Sequence, residues 1–529
     1  MDNENVSFTE NVYRTVCPGC NMGCGVYMRE LHPEGAETVL NIDYRKTAPT
    51  NEGKLCRFGV HMTRFYEDKA ESAADGEAVE TAVAVSAAAE ALRGVSPENV
   101  VFLSVGNTTN EEHAAFMDLA GACGSTVSLG LSGLYKDIGK LHVLAGRGTT
   151  FDDVEKAKKI YLFTDPYIQY PLLMRHLVHA KAKGAEIIAF GVRKLPIACE
   201  TVYLKPCASL YDVPEFAPDA DSVVISDITP YTKSKRLAEI LEISKLNGAS
   251  AKTFFLKPFV NATGAGHLSR HTKQKSFREI IDGINDGTIK VLVTLDSDLI
   301  NLSLNPEIAD VLTKLEKLIV FTSRRTPVCE IADIVIADEP FYKKEGTVMN
   351  AEGRLIPLSA AAGCTPKTGI SNINAVTIAL GGKVRSFEEL SAEVAADFGL
   401  SENDEFKVKV PEAKTFDGLE KVSDKLDIVC PADGDGTNSR HLCITNSFLW
   451  AGLEDDDDFI EIGRAFAAGL KLVKGYTADV TCACGGVKKT TRFKIGSVSC
   501  NFSVSTRKQP FAKGPVARVK IEPTPTKPQ

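Results

Sequence analysis

With 529 residues, 44% of them hydrophobic and 25% charged, the chain has the composition of an ordinary globular protein and room for several domains. A formal net charge of −8 speaks against a nucleic-acid-binding surface, which would be basic. No apolar run reaches membrane-spanning length, and residues 1–14 are polar and acidic with neither an apolar stretch nor a twin arginine, so the expectation is a cytoplasmic protein with no direct membrane span. Its fourteen cysteines then belong in a reducing compartment, where thiols serve metals more often than disulfides.

The first element in chain order is a cysteine constellation. Cys17-Pro18-Gly19-Cys20-Asn21-Met22-Gly23-Cys24 gives the spacing C-x2-C-x3-C, and Gly53-Lys54-Leu55-Cys56 supplies a distant fourth cysteine. Thiolates are soft ligands, and four converging on one point suit an iron–sulfur cluster or a zinc ion. Gly19, Gly23 and Gly25 let the backbone curl around a bulky group. Zinc sites more often come as two C-x2-C pairs, and no second pair follows, so a 4Fe–4S cluster is favoured over zinc and over simple burial of the thiols.

After residue 66 the pattern alternates. An Ala-rich helix is predicted over 80–92, then a buried strand at 100–103, a helix over 110–122, a strand at 160–163, a helix over 172–183 and a strand at 186–190. The alternation resumes with a strand at 223–226, a helix at 234–246 and strands at 253–256, 290–295, 318–322 and 334–336, with a helix at 307–315. Short apolar runs separated by helical periods mean parallel βα units. The expected fold class is α/β: a small N-terminal 4Fe–4S domain at 1–65, two doubly wound α/β lobes over 66–415, and a small β-rich domain at 416–529. One lobe is expected at about 99–256 and the other at about 66–98 plus 257–415. Within the last domain, 433–438 reads as a turn region, 455–458 as an acidic solvated loop, 477–521 as antiparallel strands and 523–528 as a disordered tail. Cys482, Cys484 and Cys500 read as packing residues, and Cys123 as a core cysteine. His176 and His179 share a helix face with no carboxylate or cysteine in view to complete a metal site.

The cysteine segment resembles the N-terminal iron–sulfur domain of the molybdopterin oxidoreductase superfamily, which includes formate dehydrogenases, nitrate reductases and the large iron–sulfur subunit of respiratory complex I. The run from Pro49 to Cys56 looks like the family's approach to its fourth ligand. The resemblance implies Cys17, Cys20, Cys24 and Cys56 as the metal and cofactor ligands of one 4Fe–4S cluster. It continues through Asn107-Thr108-Thr109-Asn110-Glu111-Glu112, the stretch Phe151-Asp152-Asp153-Val154-Glu155-Lys156-Ala157, the loop Asn261-Ala262-Thr263-Gly264-Ala265-Gly266, and two segments near 331–336 and 344–354 that match approximately ADVVLP and EKEGTxxNxEGR. The segment 344–354 reads either as a tight turn with Glu352 and Arg354 paired locally or as a loop at a cofactor cleft near the cluster domain.

Active members of the family hold molybdenum or tungsten between two molybdopterin guanine dinucleotides, usually with a Cys, selenocysteine, Ser or Asp on the metal. Here the corresponding loop, 124–135, has no cysteine, and Ser132 is the one candidate, catalytic only if such a site exists; Leu131, Leu134 or Tyr135 is expected to fill the space instead. Phe58 stands where active members commonly carry a Lys or Arg, with Arg57 one place early. Asp165 and Asp296 stand in the loops where glycine would let backbone N–H groups approach a pyrophosphate. The reading is therefore an iron–sulfur electron-transfer subunit of a multisubunit redox complex with a degraded metal–pterin site, partnered by other iron–sulfur or flavin subunits. The alternative is an active Mo/W-bis(pterin) oxidoreductase such as a formate or formylmethanofuran dehydrogenase.

Overall fold

A computed structural model describes residues 8–133, 149–167, 170–191, 194–204, 208–228, 234–246, 251–303, 307–360, 369–399, 439–444, 459–462, 464–484, 487–498, 503–505 and 516–524. These fall into two compact units, one of Met1–Arg147, Lys257–Leu302 and Ala309–Pro411 and one of Gly148–Leu256, Ser303–Ile308 and Glu412–Gln529.

The first unit begins with an antiparallel sheet in the order Gly346–Met349, Leu355–Ala360, Phe8–Val16, Gly25–Pro33, Val39–Tyr44. The strand Phe8–Val16 runs directly into Cys17, and Gly25–Pro33 starts just after Cys24, so the cysteine turn closes a hairpin whose register ends at Val16 opposite Gly25. Two of the five strands come from far along the sequence, with Tyr13 opposite Ala360.

The same unit holds a seven-stranded sheet whose order is Glu77–Ala78, Ala73–Ala74, Ile334–Ala337, Lys317–Thr322, Val291–Leu295, Val100–Ser104, Thr126–Leu129. The last five run parallel. They are apolar and almost wholly buried because helices cover the sheet. Thr81–Leu92, Asn110–Ala122, Ile370–Ala379 and Phe387–Phe398 pack into one core with Phe102, Phe116 and Phe321 at its centre. The helix Asn110–Ala122 starts where the sequence indicates: Thr109 caps it by accepting from the Glu112 N–H, and Glu111 and Glu112 lie in its first turn.

The second unit contains an all-parallel sheet in the order Glu200–Tyr203, Glu186–Gly191, Lys159–Leu162, Ser222–Asp227, Lys252–Leu256. It also contains a closed barrel of Ser439–Ile444, Ser503–Ser505, Phe459–Ile462, Val487–Val498, Thr477–Cys484 and Val516–Pro523. Its core is built from Ile460, Ile462, Val480, Phe493, Ile495, Val519 and Ile521.

Both parallel sheets are doubly wound, as expected, but the lobe boundary at about 99 is not where the sheets divide. Val100–Ser104 pairs with Val291–Leu295, and Thr126–Leu129 follows it in the same sheet. Residues 100–129 therefore belong with 257–360 and not with 159–256. A short, wholly apolar strand announces burial on both faces but carries nothing that names its neighbour. Within 477–521 the pairing is antiparallel as expected, Thr477–Cys484 lying between Val487–Val498 and Val516–Pro523; the barrel's parallel pairs join Ser439–Ile444 to Ser503–Ser505 and Phe459–Ile462 to Val487–Val498. The segments 433–438, 455–458 and 525–528, and the residue Cys500, lie outside the described residues, as do the side chains of Cys482 and Cys484. No helix among the described residues is long and apolar enough to cross a membrane.

Candidate metal centre and the crevice of the seven-stranded sheet

Cys17, Cys20, Cys24 and Cys56 are brought together as free thiols, two buried and two partly so. Burial pushes the Cys17 and Cys24 thiols well above their ordinary range, with the neighbouring cysteines adding to it, and pushes Cys20 up to about 12. Backbone N–H groups offset part of this. Gly19 donates to the Cys17 sulfur, Met22 to Cys20, and Gly59 and Phe58 to Cys56. Four clustered sulfurs with amide donors aimed at three of them form an environment prepared for thiolates and a soft cation.

Three asparagines hold this turn in place. Asn51 accepts from Gly25 N (2.9 Å) and donates to Gly25 O (3.2 Å) and Lys54 O (2.9 Å), tying the approach to Cys56 against the residue after Cys24. Asn21 accepts from Lys257 N at 2.8 Å. Asn350 donates to Met22 O at 3.3 Å, and Ala351 N donates to Asn21 O at 2.8 Å. Gly23 has φ +75°, and a Cβ there would lie 2.7 Å from the Asn350 Cβ. The segment 344–354 thus brackets the cysteine turn. The local pairing considered for it also exists, Arg354 Nε to Glu352 Oε1 at 2.6 Å.

Arg57 and Phe58 lie on a short helix, Arg57–His61, instead of a strand-like loop. Phe58 is buried edge-on against Phe65 and Arg57 is exposed, so no cation follows Cys56 into the interior at that place. Ser132 sits in a 3-10 turn, Gly130–Gly133, but its side chain is outside the described residues, as are Leu134 and Tyr135; Leu131 is fully buried.

The second construction was not legible in the sequence. In the seven-stranded sheet the chain leaves Val100–Ser104 toward one edge and Val291–Leu295 toward the other, so the two strands flank a topological switch point, where α/β folds place ligands. At their carboxyl ends the crevice holds Lys344, fully buried. Its ammonium meets Glu112 Oε2 at 2.7 Å, Asp338 Oδ2 at 2.9 Å, Asp296 Oδ2 at 3.0 Å and Thr108 Oγ1 at 3.0 Å. Burial alone would lower the Lys344 pKa, but the three carboxylates outweigh it and hold it well above the ordinary lysine range. One cation cannot neutralise three carboxylates. Burial, opposed by Lys344, leaves Asp338 raised to about 7. Asp296, read from sequence as a residue that would repel phosphate, is committed to this cluster and also accepts from Ser323 N at 3.2 Å. It adopts φ +43°, a left-handed conformation that is strained for a residue with a Cβ.

Beside it, Glu111 accepts from Thr347 N at 2.7 Å and Thr347 Oγ1 at 2.9 Å, and burial raises it to about 7. Gly346 is required here because a Cβ would collide with the Glu111 carboxylate. An acid raised from 4.5 to about 7 keeps its proton in the folded state over a range where the unfolded chain has lost it. Its ionisation penalty is absent below about pH 4.5 and complete above about 7, so it makes stability fall as pH rises through that window, by up to about 3 kcal/mol. Glu111→Gln is expected to flatten this fall when denaturant midpoints are compared at pH 5 and pH 8.

The corresponding switch point in the second unit lies between Lys159–Leu162 and Ser222–Asp227. It too carries carboxylates: Thr164 Oγ1 donates to Asp227 Oδ2 at 3.1 Å, and Asp165 accepts from Tyr167 N at 3.0 Å. Elsewhere in this unit, His176 and His179 do have a carboxylate. Both ring Nδ1 atoms meet Glu155 Oε1, at 2.8 and 3.2 Å. Burial raises the Glu155 carboxyl, but His176, His179 and Lys183 outweigh it and bring it to about 2. Twenty residues of sequence separate this partner from the pair, which is why the helix pattern did not reveal it.

Residues 10–68 match the family described as the molybdopterin oxidoreductase Fe4S4 domain. The chain is 30% identical over 198 residues to the F420-dependent formate dehydrogenase 1 subunit alpha of Methanococcus maripaludis, covering 35% of this chain and 29% of that protein. It is 27% identical over 197 residues to the F420-dependent formate dehydrogenase subunit alpha of Methanocaldococcus jannaschii, covering 35% and 28%. The matched part is thus under a third of the length of these relatives. In fold, the structure is similar to acetylene hydratase from Pelobacter acetylenicus, with a TM-score of 0.62 at 12% identity over 94% of this chain and 93% of that one. The described residues form a mixed α/β fold whose N-terminal segment carries the four-cysteine turn. Residues 10–68 are thus similar to the Fe4S4 domain of molybdopterin oxidoreductases, in a chain whose fold is similar to that of acetylene hydratase.

Proposed function

We propose that the protein is the iron–sulfur electron-transfer subunit of a multisubunit redox complex in the cytoplasm, with Cys17, Cys20, Cys24 and Cys56 ligating one 4Fe–4S cluster and no working metal–pterin centre. The observation that carries this is the cysteine pocket: four thiols brought together, with backbone N–H groups donating to three of them. When bound, such a cluster accepts one electron and gives up one. This chain's residues hold it, keep water from Cys17 and Cys24, and supply amide dipoles that favour the more negative, reduced state.

The loss of the pterin centre is supported by the two switch points. A nucleotide phosphate needs backbone N–H groups or cations there. Asp296, Asp338 and Glu112 surround the buried Lys344 in one sheet, and Asp165 and Asp227 lie at the other. A single one-electron centre needs a donor and an acceptor, so the partners are further iron–sulfur or flavin subunits. The second reading, an active molybdenum or tungsten enzyme acting on formate with Ser132 toward the metal, is favoured by the likeness to formate dehydrogenase alpha subunits.

Elemental and pterin analysis of anaerobically purified full-length protein separates the two. The expected result is iron and acid-labile sulfide near four of each per chain, as a 4Fe–4S cluster requires, with little molybdenum, tungsten or pterin. Near-stoichiometric molybdenum or tungsten with pterin would overturn the electron-transfer reading and make Ser132 the first residue to substitute.

A further inference from the structure

The cysteine pocket is open on one side. Cys17 and Cys24 are buried, whereas Cys20 and Cys56 are partly exposed, so a cluster held there meets solvent beside the latter pair. Cys56 opens the short helix Arg57–His61, which runs on into the turn Met62–Tyr66. Burial along this segment follows the helical period. Phe58, Gly59, Met62 and Tyr66 are buried, and Arg57, Val60, His61 and Arg64 are exposed. The exposed set falls at i, i+3, i+4 and i+7, which is one face of a helix.

The loop that leads into Cys56 adds to this face. Lys54 is exposed, and Lys46, also exposed, lays its stem on the loop: a Cβ on Gly53 would lie 3.2 Å from the Lys46 Cγ. Leu55 and Val60 add partly exposed apolar surface. From Lys46 to Arg64 the cations are Lys46, Lys54, Arg57 and Arg64, against a single carboxylate, Glu52, which lies 3.8 Å from the Lys54 ammonium. Glu67 and Asp68 then end the basic run. The whole chain carries a net charge of −8, so the stretch around the half-open Cys56 has the opposite sign to the molecule. An acidic protein is repelled by the chain as a whole and attracted here, and such a contrast steers an encounter toward one patch. Apolar surface with a charged surround is also the usual make-up of an interface.

We propose that this cationic face is the docking site of an acidic one-electron carrier, a small iron–sulfur protein whose own centre is ringed by carboxylates. This rests on the cluster assignment above and goes beyond it by naming the surface and the charge of the partner. In the exchange one centre loses an electron as the other gains it, and no bond forms or breaks.

The test is zero-length cross-linking. Anaerobically loaded full-length protein is mixed with a plant-type 2Fe–2S ferredoxin of acidic surface and a carbodiimide, which joins carboxylates to lysine amines in direct contact. Peptide mapping by mass spectrometry is expected to place the ferredoxin on Lys46 and Lys54 at low salt. The yield should collapse in about 0.5 M salt, where the screening length is roughly 4 Å. Arg57→Glu with Arg64→Glu reverses two charges of the face and removes no reactive amine. The yield at Lys46 and Lys54 should then fall about tenfold, the lower end of what steering supplies. Lys156→Glu with Lys158→Glu makes the same change in net charge at two other exposed lysines and should leave the yield as it is. Iron content and the EPR signal are measured for each variant. Should the arginine reversal fail to load, Arg57→Gln with Arg64→Gln takes its place, with a smaller fall in the same direction. Ferredoxin joined to other lysines instead, or a yield at Lys46 and Lys54 indifferent to these changes, overturns the proposal while leaving the cluster assignment standing. Absence of iron and signal from the unsubstituted protein overturns both.

Discussion

Lys344→Met is expected to destabilise the first unit by about 3–5 kcal/mol, the usual cost of removing one partner from a buried ion cluster. Methionine matches the length of the lysine stem, so the change isolates the charge. Glu112, Asp296 and Asp338 would then share a dry crevice with no cation. The carboxylates would respond by binding protons, so the loss should be smaller at pH 5 than at pH 8. Adding Asp296→Asn to Lys344→Met should restore part of the stability by removing one of the stranded charges. The measurement is the denaturant midpoint of the protein's unfolding, with two transitions allowed for because the chain has two compact units. Equal midpoints for Lys344→Met and the unsubstituted protein would mean that the ion cluster does not hold these loops together.

The other large effect is at the cysteine pocket. Cys20→Ala or Cys56→Ala is expected to abolish the EPR signal of the reduced protein and most of its bound iron, because a cluster held by three thiolates is easily lost. Cys123→Ala is the comparison. Cys123 lies apart from the pocket at the end of the helix Asn110–Ala122, burial alone pushes its thiol up to about 11, and its substitution should leave iron and signal intact. Because metal binding is coupled to folding, the two pocket variants should also expose residues 8–68 to proteolysis. A Cys56→Ala protein with undiminished iron and signal would remove Cys56 from the ligand set.

The cysteine turn could be read from sequence because everything it needs is local: three thiols and their glycines within nine residues, with a fourth in a motif of its own. Strands such as Ser222–Asp227 and Val291–Leu295 were legible because turn residues bound their apolar runs. What could not be read was long-range. Lys344 stood in a recognisable motif, yet its partners come from positions 108, 112, 296 and 338, and nothing in a polar loop tells a solvated lysine from a fully buried one. Asn21, Asn51 and Asn350 look like ordinary turn residues, and only the folded chain shows that each spends its amide on another loop's backbone. Glu155 was missed for the same reason, as was the pairing of Val100–Ser104 with Val291–Leu295.

The N-terminal sheet has a consequence for how the protein is made. Its first three strands leave the ribosome early, but the strand Leu355–Ala360 that pairs with Phe8–Val16, and Asn350, which reaches the carbonyl of Met22, are synthesised more than three hundred residues later. Domains tend to fold as they emerge, N-terminal parts first. Here the cysteine turn emerges unbraced and waits for most of the chain. Under the proposed function, cluster insertion is expected late in translation or on the released polypeptide, and the nascent chain is expected to keep its four thiols from oxidation for that whole interval.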